Sequence, residues 1–247
     1  MSDRREASPV NWRRMRRAVA RALVTLVVLL ALLPAGLGFV FITGLTNAPC
    51  GGSIDPATAG LPSEPIVFPS GAAGRDVRGY FVAGGSGATI IIPPAMGGGA
   101  GSQMAEIAVF QRNGYNVLSY ESRPCMGLSH SLGHAEVAEV GAALAYLNTR
   151  ADVDPERIAV HGFSSGGATA IMAAARFPQI RAVIAMGGYA DFDRYLDEQM
   201  AGLWYAPLLR AGADAAYWLA AGQPMSQLSP LSAIGEIAPR PVLLIYG

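Results

Sequence analysis

An α/β domain on a mainly parallel sheet with helices on both faces, preceded by one membrane-spanning helix, is the architecture this sequence predicts. Three observations predict it. Short apolar runs rich in β-branched residues recur along residues 65–247, separated by helical stretches of 10–15 residues, the signature of βαβ units. Ahead of them, Ala22 to Ile54 carries no charged residue, and its most apolar part, Ala22–Ile42, would rise roughly 31 Å as a helix. The chain is 51% hydrophobic and only 15% charged, which gives one large domain an ample core and excludes a disordered chain.

The front end reads as a membrane signal. Residues 1–21 hold seven arginines against Asp3 and Glu6, a net of +5 in a chain of zero net charge, so the body is mildly acidic and offers no footprint for nucleic acid. The cluster Arg13, Arg14, Arg16, Arg17 and Arg21 immediately precedes the apolar run. By the positive-inside rule residues 1–21 stay cytoplasmic, residues 22–45 form a single anchor, and the body lies on the extracytoplasmic side. A cleaved signal peptide is the alternative, but its apolar core is shorter and Pro49 follows the candidate small residues poorly. Residues 46–64 are rich in Gly, Pro, Ser and Thr and read as a linker. Cys50 and Cys125 read as two unrelated cysteines, with pairing open as the alternative on the exported side.

The body then alternates. Arg75–Val82 reads as an early strand ending at a Gly pair, and Ala88–Ile92 as a strand buried on both faces, followed by Pro93-Pro94 and the loop Ala95–Gly99. Ser102–Asn113 reads as a helix with Gly114 at its stop, then Tyr115–Tyr120 as a strand and Ala135–Asn148 as a helix. Arg157–His161 is a strand, Gly166–Arg176 a helix, and Ala182–Met186 and Pro241–Tyr246 two further strands. Residues 191–231 break this rhythm with Phe192, Tyr195, Trp204, Tyr205, Tyr217 and Trp218 among helix formers, and read as a helical lid inserted between two strands.

Composition also removes chemistries. All 18 basic residues are arginine, which excludes a Walker-type phosphate loop and a Schiff-base lysine. No His pair stands at ligand spacing and no glycine fingerprint opens the first βα unit, so neither a metal nor an organic cofactor is expected.

The segment His161-Gly162-Phe163-Ser164-Ser165-Gly166-Gly167 carries a Gly-x-Ser-x-Gly centred on Ser164. The pattern alone is weak, but it stands between a predicted buried strand and a predicted helix. A serine on so sharp a turn needs neighbours two residues away with almost no side chain, and Gly162 and Gly166 meet that need. Ser164 is the candidate nucleophile, and the amide of Ser165 faces the oxyanion that would form.

With this elbow, the Gly-rich loop after Ile90–Ile92, the stretch Tyr120–Ser129 and the run from Ser229-Pro230-Leu231 to Arg240–Gly247, residues 65–247 resemble the α/β-hydrolase superfamily, most closely its bacterial serine aminopeptidase and esterase-like branch. The resemblance implies a second oxyanion donor in the loop after the third strand. Pro94-Ala95 occupies the place of the family's His-Gly pair, which makes the amide of Met96 that donor.

It further implies an acid and then a histidine after the nucleophile, yet the three histidines, His130, His134 and His161, all precede Ser164. His161 reads as a packing residue at a strand end, and His130 and His134 as polar loop and helix-start residues. Asp191 and Asp193 follow the sixth strand, where some relatives carry the acid. The chain is therefore expected to be truncated, with the last strand and helix of the fold missing. The implied function is hydrolysis of an ester, thioester or small amide acyl substrate through an acyl-enzyme on Ser164. The alternative is a catalytically inactive binding or scaffold protein on the same membrane-anchored fold.

Overall fold

The computed structural model describes residues 11–71 and 74–246. The first ten residues of the Arg-rich segment and Gly247 lie outside them. Seven strands form one sheet: β1 (Ser63–Ser70), β2 (Arg75–Val82), β3 (Thr89–Ile92), β4 (Asn116–Tyr120), β5 (Ile158–Phe163), β6 (Ile180–Met186) and β7 (Val242–Ile245), in the order β1-β2-β4-β3-β5-β6-β7. β1, β2 and β4 pair antiparallel, whereas β4, β3, β5, β6 and β7 are parallel. The helices are α1 (Trp12–Thr46), α2 (Met104–Arg112), α3 (His134–Leu147), α4 (Ser165–Arg176), α5 (Phe192–Gln199), α6 (Ala206–Ala221) and the single turn α7 (Pro230–Ala233).

Alternation along the strands divides the core between the two faces of the sheet. Phe81, Ile91, Leu118 and Val160 point to the face covered by α3 and α4, while Val82, Ile90, Ile92 and Val117 pack with Ile107 of α2 on the other. Both faces of the central strands are thus dry, which is why these strands read as continuous apolar runs. β1 escaped the sequence pattern because Pro65 and Pro69 interrupt it; as an antiparallel edge strand on β2 it tolerates both. β7 is the opposite edge, and Leu243, Leu244 and Ile245 are exposed there.

α1 is long and apolar enough to cross a membrane. Its first nineteen residues, 12–30, stand clear of the body, and contact begins near Ala31. From there one stripe, Pro34, Gly38, Ile42 and Thr46, is buried. The approach to α6 is backbone to backbone: a Cβ on Gly38 would overlap the Leu209 carbonyl oxygen, and one on Gly212 the carbonyl oxygen of Ala35. Ile42 enters a second core with Leu132, Phe192, Leu196, Ala213 and Tyr217.

Of residues 46–64, read as a linker, Ser63 and Glu64 already belong to β1, and the stretch 51–54 packs on the loops after β3 and β4 at the carboxyl end of the sheet. The Gly51 amide donates to the Gly97 carbonyl and the Ile54 amide to that of Ala100, both at 2.8 Å, and the Ser53 hydroxyl donates to Glu121 at 3.0 Å. The reading of Cys50 and Cys125 as unrelated is corrected: they form a disulfide. The turn after β4 carries Cys125 to the point where the chain leaves α1, a proximity that neither spacing nor composition encodes. The bond closes a separation of 75 residues and constrains the unfolded chain by on the order of 4 kcal/mol.

Candidate active site

β5 ends at Phe163 and α4 begins at Ser165, so Ser164 occupies the turn between strand and helix. Its backbone is left-handed, with φ 54° and ψ −128°, and among the described non-glycine residues only Leu132 shares a positive φ. Such a conformation costs about 1–3 kcal/mol and persists only where the surroundings impose it. Here they do. The Ser164 amide donates to Met186 at 2.9 Å, and the Ser164 carbonyl accepts from Gly167 at 2.9 Å. A Cβ on Gly162 would overlap the Gly166 carbonyl, and one on Gly166 would stand 2.7 Å from the Pro93 carbonyl oxygen. A Cβ on Gly188 would come within 2.5 Å of the Ser164 carbonyl oxygen. The hydroxyl of Ser164 makes no capping bond to the helix it precedes.

Ser164, Ser165 and Met96 line one cavity of about 340 Å³, so the three residues singled out in the sequence come together. The Met96 amide donates to the Ser165 hydroxyl at 2.9 Å, which ties the loop after β3 to the first residue of α4. The amide of Ser165 is a first-turn donor with no helical acceptor of its own. One uncommitted backbone donor, the Ser165 amide, thus stands beside Ser164 at α4's positive end, suited to an anion that forms on a substrate carbonyl, while the Met96 amide is occupied by the Ser165 hydroxyl.

The rest of the cavity wall is apolar or aromatic. Leu132, Tyr189, Phe192 and Tyr195 contribute to it, and so do Phe41 and Leu45 from α1. Phe192 and Tyr195 belong to the predicted lid. Phe41, Leu45, Leu132 and Tyr189 were not legible as site residues, because their approach depends on the docking of α1 and on one loop. That loop, 130–133, is braced from beneath. The Leu132 amide donates to His130 Nδ1 at 2.8 Å, the amides of Ser131 and Gly133 donate to Glu136 at 2.9 Å each, and the Tyr189 hydroxyl donates to the Leu132 carbonyl. Burial pushes the Tyr189 phenol well above its usual pKa, which keeps it a neutral donor.

None of the three histidines lines this cavity. His130 is buried under the loop, His134 faces a separate cavity behind Gly133, and His161 packs its ring edge-on to Phe110 with centroids 5.2 Å apart. Burial lowers the pKa of all three. Asp191 caps α5 by accepting from the Arg194 amide at 3.0 Å, and Asp193 pairs with Arg210 at 2.5 Å. Among the described residues, no histidine or carboxylate lines the cavity that holds Ser164.

Comparison with known proteins agrees with this architecture. Residues 126–247 match the model of the prolyl oligopeptidase family. A thiohydrolase of Arthrinium phaeospermum is 31% identical over 121 residues, covering 46% of this chain and 39% of its own, so the match spans about four-tenths of that relative. An esterase of Pyrococcus furiosus superposes with a TM-score of 0.59 at 16% identity, over 82% of this chain and 88% of its own. The acylaminoacyl peptidase of Pyrococcus horikoshii superposes with a TM-score of 0.53 at 18% identity, over 75% of this chain and 31% of its own. Together these give one assignment: the chain has the α/β-hydrolase fold, and its segment from residue 126 onward, through the elbow after β5, is similar to the prolyl oligopeptidase family.

Proposed function

We propose that the protein is a membrane-anchored serine hydrolase that cleaves an ester, thioester or small amide through an acyl-enzyme on Ser164. The observation that carries this reading is the left-handed Ser164 at the end of β5, its hydroxyl uncapped, in one cavity with the amides of Ser165 and Met96. Attack by the Ser164 oxygen on a substrate carbonyl would place the developing negative charge against the Ser165 amide, and against the Met96 amide once it exchanges its bond to the Ser165 hydroxyl for the oxyanion. The leaving group departs with a proton, and water then releases the acyl group. The names of the similar thiohydrolase and esterase support an acyl ester or thioester as substrate.

The anchor reading is supported by the docking of α1: removing it would uncover Ile42's partners in the second core and take away one wall of the cavity. The arginines before α1 and the Cys50–Cys125 disulfide support a cytoplasmic N-terminus and a body on the oxidising side.

Among the described residues no histidine or carboxylate lines the cavity, which favours one rival, a binding or scaffold protein that keeps the fold without the reaction. Fluorophosphonate labelling of the complete product of the source gene separates the two. Labelling that disappears in Ser164→Ala is the expected result; a folded protein that takes no label overturns the hydrolase reading in favour of the scaffold.

A further inference from the structure

We propose that the Ser164 cavity takes its substrate from the bilayer, and that this substrate is an acyl ester or thioester of a membrane-resident lipid, with α1 as both anchor and acyl track. The inference rests on the hydrolase reading of Ser164 and names its substrate class.

α1 shows two faces beyond the point where it meets the body. Pro34, Gly38, Ile42 and Thr46 are buried, whereas Leu33, Leu37, Val40 and Phe41 are 65%, 55%, 68% and 49% exposed. Anchoring accounts for the exposed apolar residues before Ala31, which no protein contacts. The anchor read from the sequence, residues 22–45, continues past that point, so Leu37, Val40 and Phe41 face lipid while lying alongside the docked domain. Lipid chains that follow the helix upward cover them.

The exposed face leads to the cavity. Leu29, Leu32, Leu33, Gly36, Leu37 and Val40 line a shallow apolar groove on α1, and Phe41 and Leu45, next along the same face, line the wall of the Ser164 cavity. Leu33, Leu37, Phe41 and Leu45 follow one another at four-residue spacing, so they form a single strip. From Leu29 to Leu45 that strip climbs about 24 Å, from membrane depth to the catalytic serine.

The lid is arranged to match. Ala35 meets Gly212 and Gly38 meets Leu209, so α6 runs antiparallel to α1 and its carboxyl end points back toward the membrane-spanning part. That end, Ala215–Ala221, carries no charge, and its Trp218 and Leu219 are exposed. An exposed tryptophan beside an apolar helix suits a membrane surface. In the reaction, the bond from the Ser164 oxygen to the acyl carbon forms as the lipid's alcohol or thiol leaves with a proton, and water then frees the fatty acid.

Two experiments on the complete gene product test this. In phosphatidylcholine vesicles whose acyl chains bear a diazirine, irradiation of the Ser164→Ala variant is expected to give adducts on Leu37, Val40, Phe41 and Tyr195. Adducts that stop near Ala31 overturn the track, whatever the catalytic status of Ser164. With Ser164 intact, the pair Leu37→Ser and Val40→Ser is expected to slow labelling by a vesicle-borne hexadecyl fluorophosphonate about tenfold, and labelling by a short water-soluble one less than about twofold. Equal effects on both probes overturn the track and leave the hydrolase reading standing. No label from either probe sinks the hydrolase reading, and the adduct map then decides lipid entry on its own.

Discussion

Ala35 of α1 and Gly212 of α6 meet through their backbones, leaving no room for a side chain on the glycine. Gly212→Val therefore forces the two helices apart. The expected cost is on the order of 3 kcal/mol, with Ile42 and Tyr217 losing their packing together. Limited proteolysis near residues 47–50 should accelerate, because that segment follows directly on α1. An unchanged cleavage rate and thermal midpoint would show that the helices are not in contact.

The elbow gives a sharper expectation. In Gly162→Ala the new methyl overlaps the Gly166 carbonyl, and neither strand nor helix can retreat without moving Ser164. Fluorophosphonate labelling should fall at least about a hundredfold, a barrier increase of roughly 3 kcal/mol. Labelling at the wild-type rate would contradict the geometry described for this turn.

Reduction of the Cys50–Cys125 bond should lower the unfolding midpoint. A loss on the order of 4 kcal/mol corresponds to roughly 8–16 °C for a domain of this size. The Cys50→Ser/Cys125→Ser double variant should melt at the reduced value and be indifferent to dithiothreitol. Identical midpoints with and without reductant in the parent chain would refute the bond.

Glu139 predicts a pH dependence. Its carboxylate accepts from Arg123 at 2.8 Å, yet burial, with Glu136 beside it, pushes its pKa from 4.5 up to about 7. Between those two values the folded chain keeps a proton that the unfolded chain has released. Stability is therefore lost as pH rises through this window and levels off above pH 7. Glu139→Gln removes the slope, so the gap between variant and parent should change by on the order of 3 kcal/mol across the window. Parallel melting curves against pH would overturn the shift.

The sheet was legible because strands buried on both faces announce themselves, as at Ile90–Ile92, and because the glycines around Ser164 have a steric purpose visible in one dimension. β1 was hidden by Pro65 and Pro69, tolerable only at an edge. The docking of α1 was hidden for a different reason. Its buried stripe of Pro34, Gly38, Ile42 and Thr46 looks no more core-like than its exposed residues, since the helix from Ala22 onward is apolar all round. Phe41 and Leu45 accordingly passed as anchor residues, and the pairing of Cys50 with Cys125 could not be read without that docking. Leu132 gave no sign beyond its neighbour Gly133, because its left-handed turn is imposed by His130, Glu136 and Tyr189.

The second core also fixes an order of maturation. Ile42 is made early, and its partners Ala213 and Tyr217 emerge from the ribosome only after every strand but the last. Both cysteines precede Ser164 in the chain, so the bridge can form before the elbow exists. The wall that Phe41 and Leu45 supply is in place only once α6 has found α1. A chain in which α1 fails to dock would carry the serine without that wall, so completion of the site is tied to the helix that precedes the domain.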